Sequence, residues 1–251
     1  MFKTKRNIVL LLLVLISPAG ICQQNFRMHT TGSDKLTNLY LDKTGSEREY
    51  IDGRDYFQYY YRSKTTPLLR PGEERSASLT IHGRSYKGLD LQYDTYTDEV
   101  VFTDDSLIYN DRVRQVSLNK YQVIRFDLCF RHDTLHFRYF STESDTNFNL
   151  PEGFYEVAYE MKTKLLVRHV SSVHISPDKI ADYVYKPVNY IRVSDSYAEV
   201  RSRKQFLSLF GNRSDEISRF IRQKHVRINK ADKKQIAEVL KYYEVLTAGA
   251  V

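Results

Sequence analysis

Apolar and polar side chains alternate with a period of two through the middle of the chain. Residues 76–82 interleave Ala77, Leu79 and Ile81 with small or polar neighbours. Residues 86–93 place Leu89, Leu91 and Tyr93 on one face and Asp90 and Gln92 on the other, and Glu99 to Phe102 resume after a turn at Tyr96, Thr97 and Asp98. The strongest segment runs from Tyr121 to Phe130, with Val123 and Arg125 opposite Ile124, Phe126, Leu128 and Phe130. A turn at His132 and Asp133 then returns the chain through Leu135, Phe137 and Tyr139. Further strands fit Phe154–Tyr159, Leu165–Val170 and Tyr190–Val193. Short strands about ten residues apart, joined by Gly, Pro, Asp and Asn, predict an antiparallel meander, open barrel or sandwich.

At residue 200 the period changes. Ser202 followed by Gln205 resembles a capping box, and Phe206, Leu207, Leu209 and Phe210 fill a short helix that Gly211 stops. Ser214 is the expected cap of a second helix, with Asp215 and Glu216 in its first turn and Ile217, Phe220 and Ile221 on one face. Asn229 is the expected cap of a third, whose positions Ile236, Val239, Leu240, Tyr243 and Leu246 follow the helical period. The fold class expected is therefore α+β: a mainly antiparallel β-body over 23–198 and a three-helix C-terminal segment over 199–251 packed on it.

The first residues add a leader. Lys3, Lys5 and Arg6 precede an apolar run from Ile8 to Ile16 and the small-residue stretch Ser17 to Gly20. That order is a secretory signal peptide, assigned to 1–22, and the run is too short to span a bilayer core of about 30 Å. The expected location is periplasmic or secreted, with no transmembrane helix after cleavage. Cleavage after Ala19 or Cys22 both fit, and Cys22 as an acylated first residue is a third reading that Ile21 weakens. If Cys22 leaves with the leader, Cys129 is the sole thiol; its place between Leu128 and Phe130 reads as a small buried hydrophobe.

The formal charge of +7 divides unevenly. Residues 199–251 hold 12 Lys and Arg against 6 Asp and Glu, while 23–198 balance at −2. The 20 Tyr and 13 Phe, with no Trp, suit half-buried strand faces.

Several of these segments together resemble a group of uncharacterised secreted proteins common in Bacteroidota. They are the leader with Gln at the mature start, Tyr86-x-x-Leu89-x-Leu91-x-Tyr93-Asp94 with Asp98-Glu99-Val100, Gly153-Phe154-Tyr155, and the tail at Tyr242-Tyr243. The resemblance implies an envelope-exposed, β-rich protein, and it transfers no activity, substrate or site.

Candidate chemistry divides into a few constellations. His132 and His136 have a zinc-like spacing on a helix, but a hairpin separates them and zinc needs three or four converging ligands. His169 and His174 flank Ser171 and Ser172 without the glycine elbow that exposes a nucleophile. Asp94, Asp98, Glu99, Asp104 and Asp105 offer oxygens for calcium or a carboxylate pair for glycoside hydrolysis; turn aspartates more often bond their own backbone. Tyr56, Phe57, Tyr59, Tyr60, Tyr61 and Arg62 offer either rings that cover a sheet or a stacking surface for sugar or protein. Arg219, Arg222, Lys233 and Lys234 are the residues expected to face anionic envelope material such as lipid headgroups or acidic glycans; export argues against nucleic acid.

No catalytic, cofactor or metal signature emerges. The function expected is a non-enzymatic cell-envelope protein binding a partner protein, a lipid or other hydrophobic ligand, or a glycan. The alternative is an envelope or polysaccharide hydrolase using carboxylates near Asp94–Asp105.

Overall fold

The protein is described by a computed structural model covering residues 53–57, 62–81, 83–109, 112–143, 148–228 and 232–248, with backbone alone for 104–109, 112 and 114. The leader, both cysteine-22 readings, and Tyr59, Tyr60 and Tyr61 lie outside these residues.

Among the described residues, eleven strands form one antiparallel sheet: β1 (Gly53–Asp55), β2 (Arg75–Ile81), β3 (Arg84–Asp94), β4 (Glu99–Tyr109), β5 (Arg112–Leu118), β6 (Val123–Phe130), β7 (Thr134–Phe140), β8 (Gly153–Glu160), β9 (Lys164–Ile175), β10 (Ala181–Arg192) and β11 (Tyr197–Glu199). Their order across the sheet is β1-β5-β4-β3-β2-β6-β7-β8-β9-β10-β11. Three helices follow, α1 (Arg203–Ser208), α2 (Ser214–Gln223) and α3 (Lys233–Ala248). The architecture is α+β, with an open sheet.

The sheet curls, because the β3–β4 turn meets strands far away in the order. Thr95 accepts the Ser171 N–H of β9 at 3.0 Å, and Asp98 accepts the Phe154 N–H of β8 at 3.2 Å. Gly153 permits that approach: its φ is 145°, and a Cβ there would lie 2.4 Å from Asp98 Oδ2. Inside the curl, Phe126 stacks on Phe137 at 4.5 Å, while Tyr93 and Phe154 meet them at tilted or edge-on angles. The Tyr93 hydroxyl donates to Asp98 Oδ1 at 2.7 Å. Burial raises the pKa of Asp98 from its ordinary value despite this bond and the Phe154 N–H.

The helices cover β8 to β10 with a second core. Phe206, Phe210, Ile217, Ile221, Ile236, Val239 and Leu240 pack on Leu165 and Ile191. Ser202 caps α1 by accepting the Gln205 N–H at 3.3 Å, as its spacing implies. Ser214 does not cap α2; a single 3-10 turn over Gly211–Arg213 leads straight into the helix, so Ser214 is already helical. Asp232 accepts the Gln235 N–H at the start of α3, at 2.8 Å; the expected cap Asn229 lies outside the described residues.

Two expected faces are reversed. Opposite β6, the register slips between Thr80 and Ile81, which pair with Arg125 and Val123 and leave Ile124 as an extra residue. This bulge turns Val123 into the core and Ile124 outward, at 48% exposed. Cys129 is half-buried on the face opposite Leu128 and Phe130, not a core residue.

Candidate ligand-binding cleft

The chain from Arg62 to Pro71 crosses the curled sheet as a strap. Ser63 pairs in parallel with Ala181 at the outer edge of β10, and Leu68 pairs with Asp94 at the end of β3. Leu69 donates its N–H to Tyr93 O at 2.9 Å, and Thr95 donates to Pro67 O at 3.0 Å. Thr65 locks the other end: its hydroxyl accepts the Tyr183 N–H at 2.6 Å and lies 2.9 Å from Asp182 Oδ1. Between strap and sheet lies a cavity of about 900 Å³, open to solvent, with His169, Tyr183 and Tyr185 on its floor.

A charged row runs beneath this floor. His169 is 7% exposed; its Nδ1 lies 2.6 Å from Tyr185 Oη and its Nε2 lies 2.9 Å from Glu156 Oε2. The Lys233 ammonium, at the start of α3, sits on the other Glu156 oxygen. Burial pushes the Glu156 pKa up, but the His169 bond and the charges of His169 and Lys233 outweigh it and hold it below its ordinary value. The Tyr185 phenol is pushed up to about 12, mainly by burial and then by the Glu156 charge. It is a neutral hydroxyl throughout the physiological range. Nearby, Arg70 clamps Asp133 with two bonds of 2.6 and 2.9 Å and lies 4.6 Å over the Phe130 ring. Glu156, Asp133 and Lys233 also line a smaller groove of about 310 Å³ beside α3.

The sequence-derived candidates fall elsewhere or only partly here. Tyr56 turns inward and donates to Asp94 Oδ2 at 2.7 Å, and burial raises its phenol far above the usual value. Phe57 points out, at 76% exposed, and Arg62 is an exposed residue at the start of the strap. Arg219, Arg222 and Lys234 are exposed on the helices, whereas Lys233 is half-buried on Glu156. The described members of the acidic cluster are occupied locally: Asp94 accepts the Tyr96 and Thr97 N–H groups, and Glu99 accepts from Ser117 at 2.8 Å; the side chains of Asp104 and Asp105 lie outside the description. His136 bonds Asp127 at 2.8 Å, and the plain turn-and-strand reading describes it and His132. Among the described residues, no three His, Cys, Asp or Glu side chains gather as metal ligands.

Glu156, Arg70 and Tyr185 were not singled out by sequence. One signal for Glu156 was present: a charge at the inward position two residues after Phe154, where alternation demands an apolar group.

Comparison of the chain with protein-family models, with curated proteins and with solved structures finds no match. No described helix is long and apolar enough to cross a membrane.

Proposed function

We propose that this is a ligand-binding protein of the cell envelope, of the secreted β-rich kind that its leader and aromatic motifs resemble, and that the strap cleft is its binding site. The supporting observation is the cavity of about 900 Å³ floored by two tyrosines and a buried histidine. Its size falls within the range of roughly 300–1,000 Å³ typical of small-molecule sites, with few polar groups on apolar walls. The described carboxylates of the acidic cluster, by contrast, already hold backbone or hydroxyl donors, which favours binding over hydrolysis.

Two experiments test the reading. Peptide mass spectrometry of the protein recovered from the envelope fraction is expected to show a mature start after Ala19 or Cys22; an intact leader in cytosol refutes the location. Fluorescence titration with 1-anilinonaphthalene-8-sulfonate is expected to show binding in wild type that Thr66→Trp, which fills the cleft, abolishes. Binding unaffected by the filled cleft refutes the site.

A further inference from the structure

Successive residues of a strand turn their backbone groups to opposite edges, so every second residue of β10 faces away from β9. Ala181 shows which set does so: its N–H donates to Arg62 O and its own O accepts the Lys64 N–H, both at 2.9 Å. Tyr183 follows, with its N–H on the Thr65 hydroxyl at 2.6 Å. Further along, Asn189 O accepts the Val200 N–H at 2.9 Å, just before β11 begins to pair. Between these two points the same edge belongs to Tyr185 and Pro187. Among the described residues nothing bonds the Tyr185 N–H, the Tyr185 C=O or the Pro187 C=O on that side. Proline has no N–H to give.

The open stretch runs from Val184 to Val188, about 16 Å of extended chain. Val184 to Pro187 are all exposed, with Val184 at 53%. Free backbone groups beside exposed apolar side chains are a template for an added strand. Charge selects the occupant. Four exposed cations, Arg62, Lys64, Lys186 and Arg201, flank the stretch. Only two carboxylates stand with them: Asp182, 2.9 Å from the Thr65 hydroxyl, and Glu199, 2.6 Å from Arg201 and also facing Lys186. A second copy of this edge fits badly, because antiparallel pairing would bring the two Lys186 side chains together and leave Pro187 of each copy without a donor.

We propose that the outer edge of β10, from Val184 to Val188, binds an extended acidic peptide of a partner protein as an added strand. The Tyr185 N–H donates to a peptide carbonyl, and the Tyr185 and Pro187 carbonyls accept peptide N–H groups. Acidic side chains of the peptide answer Lys64 and Lys186. This surface lies outside the strap cleft and stands whatever the cleft holds.

NMR titration of the purified protein with blocked pentapeptides that alternate Asp with Val, Ile, Phe or Tyr tests it. At least one of them binds and slows solvent exchange of the Tyr185 amide. Its counterpart with Lys in place of Asp binds at least tenfold more weakly, and added salt weakens the acidic peptide. Methylating the backbone nitrogens of the peptide abolishes binding, since the edge then finds no N–H to accept. Lys186→Glu weakens binding about tenfold and Lys186→Gln less, both at the wild-type melting temperature. An unprotected Tyr185 amide with every acidic peptide overturns the proposal, as does equal binding of the Lys counterparts or of the methylated peptides. Binding that leaves the Tyr185 amide unprotected and is lost in Thr66→Trp would put the peptide in the cleft, and overturns the edge site as well.

Discussion

Two adjoining patches of one sheet face are built on opposite principles. At Phe154 the inner face is closed by rings: Tyr93, Phe126 and Tyr139 meet it, and Phe137 belongs to the same buried cluster. Two residues on, at Glu156, the same face of the same strand carries a buried carboxylate with a histidine and a lysine. At the boundary the Phe137 ring lies 5.2 Å from His169, and Phe137 is the cross-strand partner of Glu156. The ring patch has every reason to be there for stability. A buried ion pair has much less, since apolar replacements of similar volume are often as stable or more so. On the proposed reading of the cleft, Glu156, His169 and Tyr185 serve it rather than the core.

Mutations break this comparison at known points. Phe137→Ala should cost the most, about 4 kcal/mol, because it opens a cavity against Phe126, Tyr93 and His169 at once. Urea denaturation measures it; a loss under 1 kcal/mol would mean that the ring patch is not the stabilising core. Glu156→Ala should follow at about 3 kcal/mol, since it leaves Lys233 and His169 without their shared partner.

The same carboxylate predicts a pH dependence. Its folded pKa lies below its unfolded value, so its stabilisation is complete above about pH 4.5 and fades as pH falls through the folded pKa. Asp133, held down chiefly by Arg70, acts in the same direction. Asp98 acts oppositely, because burial raises it. Wild type should therefore lose urea resistance on acidification, and Glu156→Gln should lose less between neutral pH and pH 3.5. Equal losses would sever Glu156 from the acid response.

Lys233→Ala should cost less than Glu156→Ala, about 2 kcal/mol, because the His169 bond to the carboxylate survives. If Lys233→Ala were as costly as Phe137→Ala, the helix contact would be the dominant part of the row. Smallest of all, Ile124→Thr should stay within about 0.5 kcal/mol, as expected of an outward residue. Val123→Ala at the neighbouring inward position should cost about 2 kcal/mol. The reverse order in thermal melts would place the β6 bulge elsewhere.

Alternation alone located β2, β3, β6, β7 and β8, because each repeats an apolar residue at every second position over a half-buried face. It missed β5, where Arg112, Arg114 and Gln115 interrupt Val113, Val116 and Leu118, and it shortened β10, whose residues Val184 to Pro187 are exposed. Ile124 was misplaced because a bulge is a property of the pairing with β2, and nothing in Val123–Phe130 alone records it. The helical tail was readable from Phe206 to Leu246, yet the Ser214 cap was not: whether a serine precedes a helix or lies inside it depends on the turn at Gly211. The cleft was least legible. Its parts, Thr65, Arg70, Glu156, His169 and Tyr185, span over a hundred residues and meet only because the sheet curls and the strap crosses it.

The account turns on whether the floor of the strap cleft serves a ligand or the fold. Titration of 1-anilinonaphthalene-8-sulfonate against Tyr185→Ala, beside urea denaturation of the same variant, reads it directly, because Tyr185 lines the cavity and is 46% exposed. The account predicts binding weakened at least tenfold with stability within about 1 kcal/mol of wild type. Unchanged binding, or a loss of stability above about 3 kcal/mol, would contradict it.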